Sequence, residues 1–162
     1  MGKIRGLLFL AAAAALLLTN GSALAAFIRC QTGVVCNGTE QADDLVGSTR
    51  NNVVNGLGGN DILSLNGGDD EGYGGAGNDK LFGEGGHDRV MSGGDGHDLI
   101  EGHTGRDGLI GGTGDDVLDA VRFEEGFPER DTISCGAGFD TVKADRADVF
   151  LDRASCERVT IV

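Results

Sequence analysis

The chain has 162 residues, including 30 glycines, one proline and no tryptophan, and its 26 acidic residues outnumber 13 lysines and arginines. The net charge of −13 disfavours nucleic acid or anionic lipid as a partner and favours cations. So little bulky apolar material excludes an ordinary globular core. Disorder is the usual alternative, but 21 of the glycines recur regularly between Gly56 and Gly114, which predicts an ordered repeat.

Residues 1–25 have the features of a cleavable secretory signal peptide. Lys3 and Arg5 precede an apolar run over 7–18, and Ala23-Leu24-Ala25 offers a cleavage site after Ala25. The apolar run is too short for a typical membrane span, and no later segment approaches one. We therefore expect a secreted, extracellular chain that begins at Ala26. It keeps 11 basic and 26 acidic residues and so carries a net charge of −15.

Residues 26–37 form a short lead that we expect to cap the first turn of the repeats. The lead contains Cys30 and Cys36, and the remaining cysteines are Cys135 and Cys156. Four cysteines in an exported chain predict two disulfides.

From residue 38 a nine-residue unit recurs, with the pattern G-G-x-G-x-D-x-U-x, where U is a large apolar residue. The copies are GTEQADDLV (38–46), GSTRNNVVN (47–55), GLGGNDILS (56–64), LNGGDDEGY (65–73), GGAGNDKLF (74–82), GEGGHDRVM (83–91), GGDGHDLIE (93–101), GHTGRDGLI (102–110) and GGTGDDVLD (111–119). The first two copies are degenerate, as expected at the end of a stacked array.

The repeat is interrupted by AVRFEE (120–125) and resumes as GFPERDTIS (126–134) and CGAGFDTVK (135–143). Asp107 and Asp131 are 24 residues apart, as are Asp116 and Asp140, which equals two repeats plus the six inserted residues. We therefore expect the repeat array to span 38–143, with an extruded loop at 120–125. The glycine-poor segment 144–162 is predicted to be a strand-like terminal cap.

Six residues of turn and three of strand give eighteen residues per circuit, so alternate repeats should stack. The sixth positions then form two columns: Asp43, Asp61, Asp79, Asp98, Asp116 on one side, and Asn52, Asp70, Asp88, Asp107 on the other. Each column contains one step of nineteen, which we attribute to a one-residue bulge near Ser92. His87 and His97 occupy the variable fifth position, where a solvated role is expected.

The same register predicts the core from the eighth positions. They are Leu45, Leu63, Leu81, Ile100 and Leu118 on one sheet and Val54, Val90 and Leu109 on the other, while Gly72 leaves a gap that Tyr73 could cover. Outward positions include Val46, Tyr73, Phe82, Met91 and Ile110, an apolar stripe if they align. At ~2 kcal/mol per buried aliphatic side chain, this core scarcely offsets backbone ordering of about 1–2 kcal/mol per residue. Bound metal is expected to supply the difference.

The repeat resembles the RTX, or hemolysin-type, calcium-binding nonapeptide. The resemblance implies an all-β fold, a parallel β-roll (β-solenoid) that holds several Ca²⁺ ions in its turns, and oxygen ligands of this kind suit calcium. The implied carboxylate ligands are Asp43, Asp61, Asp70, Asp79, Asp88, Asp98, Asp107, Asp116, Asp131 and Asp140. The implied carbonyl ligands include those of Gly74, Gly75, Gly77, Gly93, Gly94, Gly96, Gly111, Gly112 and Gly114.

RTX repeats often follow a protease, lipase or toxin domain, whereas this chain has an N-terminal signal, cysteines and no recognisable catalytic residues. It is similar to short, separately exported repeat proteins of bacteria. We expect a calcium-binding protein with a structural or interaction role and no enzymatic activity. The alternatives are an adhesin that binds an extracellular protein or polysaccharide and a small hydrolase with a pocket at the 120–130 loop or the cap.

A roll of this length also selects the disulfide pairing. About six turns at ~4.8 Å per strand place its ends roughly 25 Å apart, whereas a disulfide requires Cα atoms within about 7 Å. The predicted pairs are Cys30 with Cys36 and Cys135 with Cys156.

Overall fold

A computed structural model describes residues 25–31, 35–121 and 129–162. Residues 1–24 of the predicted signal peptide and most of the 120–125 loop lie outside this part. The strands are β1 (Phe27–Arg29), β2 (Val35–Asn37), β3 (Asp44–Val46), β4 (Val53–Gly58), β5 (Ile62–Ser64), β6 (Glu71–Ala76), β7 (Lys80–Phe82), β8 (Val90–Asp95), β9 (Leu99–Glu101), β10 (Gly108–Thr113), β11 (Val117–Asp119), β12 (Thr132–Ala137), β13 (Thr141–Ala144), β14 (Val149–Phe150) and β15 (Arg158–Ile161), with a 3₁₀ turn at Arg153–Ser155.

The strands alternate between two parallel sheets. All odd-numbered strands form one eight-stranded sheet in chain order, and all even-numbered strands form a seven-stranded sheet. Each strand therefore pairs with the strand one circuit before it and the strand one circuit after it. This arrangement is a parallel β-roll of about seven turns, which confirms the predicted fold.

The eighth positions of the eight-stranded sheet form a continuous inward ladder. Leu45 pairs with Leu63, then come Leu81, Ile100 and Leu118 in register, and all five are fully buried. Val142 extends the same ladder beyond the 120–125 insertion. The predicted eighteen-residue circuit and this half of the core are confirmed.

The ladder of the seven-stranded sheet differs from the prediction at β8. Glu71 pairs with Val90 and Gly72 with Met91, so the additional residue is Arg89 and the bulge does not lie near Ser92. Because successive side chains of a strand point to opposite faces, this displacement turns Met91 inward, where it is fully buried, and leaves Val90 partly exposed. The prediction of Val90 as core and Met91 as outward was wrong.

Leu65, and not Tyr73, fills the gap at Gly72. Leu65 occupies the first position of its repeat, where most copies have glycine, and it is fully buried. An ideal Cβ on Gly72 would lie 3.1 Å from Leu65 Cδ1. The large and small residues of this repeat have exchanged places, and the core volume is preserved.

The outward apolar residues do not form a stripe. Val46 and Phe82 lie on the eight-stranded sheet with Ser64 between them, whereas Tyr73 and Ile110 lie on the other sheet, separated by Ser92. Each outer face mixes apolar and polar side chains.

Both terminal segments extend the roll. In the lead, β1 and β2 pair with β3 and β4, and after residue 144 β14 and β15 add one strand to each sheet. Disulfides join Cys30 to Cys36, with a Cα–Cα distance of 5.4 Å, and Cys135 to Cys156, at 5.5 Å. The predicted pairing is confirmed. Within the described ranges, no helix has the length and apolar character needed to cross a membrane.

Candidate metal sites

The sixth positions of the repeats form two buried columns, one at each edge of the roll. We call them column 1 (Asp43, Asp61, Asp79, Asp98, Asp116, Asp140) and column 2 (Asn52, Asp70, Asp88, Asp107, Asp131). None of these side chains is more than 4% exposed. All ten predicted carboxylate ligands are thus brought into the two columns.

One carboxylate oxygen of each aspartate in the columns accepts a backbone hydrogen bond from the chain one circuit before it. In column 1 the N–H of Asp61 donates to Oδ1 of Asp79 at 2.7 Å, and the N–H of Asp79 donates to Oδ1 of Asp98 at 2.8 Å. Column 2 repeats the contact, with the N–H of Asp88 donating to Oδ1 of Asp107 at 2.9 Å. The ladder fixes the orientation of every carboxylate along the stack.

The second oxygen, Oδ2, is buried without a hydrogen-bond partner in most of the columns. Within the described part of the chain this is so for Asp61, Asp70, Asp79, Asp88, Asp98, Asp107, Asp116 and Asp140. A buried carboxylate oxygen without a partner is costly. Eight of them in two stacks require a cation or protons.

Glycine at the first position of a repeat leaves room for these oxygens. At Gly83, Oδ2 of Asp88 and the carbonyl oxygen of Gly102 each lie 2.6 Å from the point where a Cβ would sit. Asp79 Oδ2 and the Gly93 carbonyl converge in the same way at Gly74. A side chain would displace the oxygens. A carboxylate from one turn and a carbonyl from the next thus face a common space.

The second and fourth positions provide the left-handed backbone of each turn. In column 1 both are usually glycine, as in Gly75 (φ +111°) and Gly77 (φ +135°). In column 2 the second position has φ between +65° and +71° and is occupied by Asn66, Glu84 and His103. Leu57 occupies the second position of a column 1 turn with φ +82°, so both columns accept a side chain there, although column 1 usually has glycine.

Burial raises the pKa of carboxyls in the central turns well above the ordinary value of 3.8. The pKa rises to about 6 for Asp79, to about 7 for Asp88 and to about 8 for Asp107. Burial is the largest cause, and neighbouring carboxylates add to it, against the lowering effect of the ladder hydrogen bond. In the absence of a cation the columns therefore favour protonated carboxyls.

The first two repeats differ because they provide their own donors. Oδ2 of Asp43 accepts hydrogen bonds from the N–H of Thr39 at 2.6 Å and from its hydroxyl at 2.8 Å. Ser48 bonds Oδ1 of Asn52 in the same way, at 2.7 and 2.9 Å. These turns have no orphaned oxygen, which weakens the case for Asp43 as a ligand.

Asp148 and Glu157 continue the two columns beyond Asp131 and Asp140, and they were not predicted from the sequence. The N–H of Asp131 donates to Oδ1 of Asp148 at 3.0 Å, and the N–H of Asp140 donates to Oε2 of Glu157 at 2.8 Å. Each step is seventeen residues. A search for acidic residues at spacings of seventeen as well as eighteen would have found them.

The fifth position carries a second ladder, also missed from the sequence. The N–H of Asn78 donates to Asn60 Oδ1, that of His97 to Asn78 Oδ1 and that of Asp115 to His97 Nδ1, each at 2.8 Å. His87 accepts from the N–H of Arg106 at 2.9 Å in the other column. The two histidines are structural acceptors at the surface.

Stacked nonapeptides with buried carboxylates in their turns define a repeat protein of the β-roll class. The family model described as the RTX calcium-binding nonapeptide repeat (4 copies) matches residues 37–71, 66–94 and 92–120, which together cover more than half of the chain. The chain belongs to the RTX calcium-binding repeat family, whose repeats bind Ca²⁺. No curated protein and no solved structure matches the chain.

The donor set of the columns fits calcium. The nearest atom to each first-position glycine is an oxygen from a carboxylate or a backbone carbonyl, and the one sulfur among these contacts, Met91 Sδ, lies farther from Gly83, at 3.1 Å. Calcium takes six to eight such ligands in flexible geometry, whereas zinc takes cysteine, histidine and fewer oxygens. The four cysteines are all in disulfides.

Proposed function

We propose that the chain is a secreted protein that binds several Ca²⁺ ions in its two columns and has a structural or interaction role rather than a catalytic one. The observation that carries this proposal is the set of eight buried Oδ2 atoms without a partner. These oxygens lie at the same position of successive nonapeptides, so they are a property of the repeat. The mixed outer faces do not favour the adhesin alternative.

The carboxylates with orphaned oxygens would hold the ions together with backbone carbonyls of the glycine turns. These are Asp61, Asp70, Asp79, Asp88, Asp98, Asp107, Asp116 and Asp140, with Gly74, Gly75, Gly77, Gly93, Gly94, Gly96, Gly111, Gly112 and Gly114 in column 1. Asp131 is a further candidate, since it lies in column 2 and is buried. Bound calcium supplies positive charge between carboxylates that otherwise repel one another.

Calcium titration followed by circular dichroism tests the proposal. We expect chain 26–162 to lose most of its β signal in excess chelator and to regain it cooperatively at about 10⁻⁴ to 10⁻³ M Ca²⁺, the range of extracellular modules. Magnesium at the same concentration is the control, because it keeps its water and should restore little structure. A native β signal that is unchanged by chelator contradicts the proposal.

Secretion has a separate test. When the full chain is expressed in a bacterial host, the exported product should begin at Ala26, as read from its intact mass and N-terminal peptide. Replacement of Ala23 and Ala25 by bulky residues should retain the precursor. An exported product that keeps residues 1–25, or no export at all, contradicts this part of the proposal.

A further inference from the structure

A pocket of about 390 Å³ lies on the outer face of the seven-stranded sheet, beside column 2. Its lining includes Arg89, Arg106 and Arg130 and the apolar residues Ile110 and Leu151. Asp107 of column 2 also borders the pocket, but it is only 2% exposed, so the accessible surface of the pocket is formed by the other residues. Its volume lies within the range of small-molecule sites, about 300–1,000 Å³.

The bulge in β8 helps to build the pocket. It adds Arg89 directly before the start of β8, and the carbonyl oxygen of Arg89 lies against Gly108, where a Cβ would overlap with it. A side chain at position 108 would therefore clash with this carbonyl, and glycine leaves that part of the pocket lining without one. Arg106 and Arg130 occupy the fifth positions of successive turns, which the bond between Asp107 N–H and Asp131 Oδ1 holds in register at 2.8 Å.

The charge of the pocket is opposite to that of the chain. Three of 13 lysines and arginines line it, in a chain of net charge −13. Arg89 has only a distant ion pair with Glu71, at 3.8 Å, and its side chain is 68% exposed. Among the residues that the structure describes, neither Arg106 nor Arg130 has an ion-pair partner. The cluster is therefore available to an external anion.

The equivalent turns of column 1 show that arginine is not needed for the fold. Their fifth positions are Asn60, Asn78, His97, Asp115 and Phe139. In both columns the fifth-position ladder uses the backbone N–H of its donor residue. The guanidinium groups of Arg106 and Arg130 therefore have no part in the ladder.

We propose that this arginine pocket binds a small organic anion in which a carboxylate lies beside an apolar group, such as the carboxyl-terminal apolar residue of a peptide. Guanidinium groups bind carboxylates through paired hydrogen bonds. Ile110 is 37% exposed and Leu151 is 68% exposed, so both offer apolar surface to the body of the ligand. This site would give the calcium-loaded roll a binding partner.

The ligand class is tested with matched probes on the calcium-saturated chain, with folding verified by circular dichroism. N-acetyl-leucine should bind with a Kd on the order of 1 mM, and binding should weaken as salt is added. N-acetyl-leucinamide, which differs only in the carboxylate, should bind at least ten-fold more weakly, and so should acetate, which lacks the apolar body. Equal binding of the amide overturns the proposal, as does binding of acetate or sulfate as tight as that of N-acetyl-leucine.

The location is tested with Arg106→Gln and Arg130→Gln, which keep the backbone ladder and should each weaken N-acetyl-leucine binding at least five-fold. Arg146→Gln is the control, because Arg146 is exposed and does not line the pocket. Leu151→Ser tests the apolar part of the pocket lining independently of charge and should also weaken binding of N-acetyl-leucine. Wild-type affinity in both Arg106→Gln and Arg130→Gln, or an equal loss in Arg146→Gln, overturns the assignment.

Discussion

The ends of the roll and its middle follow the same backbone path but satisfy their buried oxygens differently. At the start, the hydroxyl and N–H of Thr39 bond the second oxygen of Asp43. At the other end, Asp152 accepts the N–H of Cys135 and the hydroxyl of Ser134, each at 3.0 Å. Between them, Asp79 and its equivalents leave that oxygen without a partner.

The difference shows where the chain depends on a cation. Disulfides and short polar contacts hold the outermost segments, whereas the turns from Asp61 to Asp140 add buried carboxylates to a thin core. We infer that calcium is required by the middle of the roll and not by its ends. Four predictions test this division.

The largest effect is expected from pH in calcium-depleted buffer. A carboxyl whose pKa is raised in the folded chain stabilises the fold fully below its ordinary pKa, near 3.8, and this contribution is lost as pH rises through the raised value. In the middle of the roll, this stabilisation is lost between pH 3.8 and about 6 for Asp79, and between pH 3.8 and about 8 for Asp107. Acidification from pH 8 to 5 should therefore increase the calcium-free β signal in circular dichroism.

The end residue Asp152 should respond in the opposite sense. Burial opposes its ionisation, but hydrogen bonds from Cys135 N–H and from serine hydroxyls hold its pKa below 3.8. Its contribution is present above the ordinary pKa and is lost as pH falls through the lowered one. A calcium-free β signal that falls steadily between pH 8 and 5 would contradict the assignment of orphaned carboxyls to the middle.

Loss of the Cys135–Cys156 disulfide should loosen the C-terminal end. The bond joins residues 21 apart, and in the chain-entropy model its removal by paired serine substitutions lowers the free energy of unfolding by about 3 kcal/mol. Chemical denaturation in saturating calcium measures the loss. The Cys30–Cys36 disulfide closes a shorter loop, of residues six apart, so the matched variant without these cysteines should lose less of its free energy of unfolding.

Calcium stoichiometry decides whether that end is independent of the middle. Equilibrium dialysis of both serine variants should give the wild-type number of ions. If the variant without Cys135 and Cys156 bound no calcium, the C-terminal end would be a requirement for the whole array.

Asp79→Ala and Asp43→Ala separate a central turn from a terminal one. Asp79→Ala removes an orphaned carboxylate and a buried acceptor, so it should lower the free energy of unfolding in calcium by about 1–3 kcal/mol and raise the calcium midpoint. Asp79→Asn keeps the Oδ1 acceptor and should raise the midpoint with a smaller loss of stability. Asp43→Ala should leave the calcium midpoint unchanged. Equal midpoint shifts at both positions would contradict the comparison.

The smallest effect is expected at Thr39. Thr39→Val removes the hydroxyl bond to Asp43 and the weaker, exposed contacts of the hydroxyl with Gln41, and it should lower the free energy of unfolding by about 1 kcal/mol. Thr39→Ser keeps the hydroxyl and should be close to wild type. Thermal denaturation at several calcium concentrations checks that the loss does not depend on calcium.

The period of the repeat was enough to predict most of the fold and the position of the carboxylates. An eighteen-residue circuit fixes which residues stack, so Leu63 beneath Leu45 and Asp79 beneath Asp61 follow from counting. Counting failed at β8, because the position of one additional residue within a repeat depends on which side chain packs better, and the larger Met91 was buried.

The repeat pattern also could not predict pairs of residues that depart from the consensus and compensate for each other. Leu65 violates the glycine consensus and Gly72 violates the apolar one, and only their contact in the core shows that the two departures belong together. Asp148 and Glu157 were missed because the last turns are one residue shorter and lack glycine. Their role comes from hydrogen bonds to Asp131 and Asp140.

The parallel pairing of each strand with the strand one circuit away has a kinetic consequence. Apart from the strands that flank the insertion, paired residues of neighbouring strands within each sheet are seventeen to nineteen apart, so each added circuit closes a loop of nearly the same length and carries a similar entropic penalty. Most parallel sheets must bring remote segments together before any strand is stabilised. Here a chain that emerges gradually can fold from one end, one circuit at a time. Two repeats, which make one circuit, can therefore be added or removed without disturbing the circuits that are already folded.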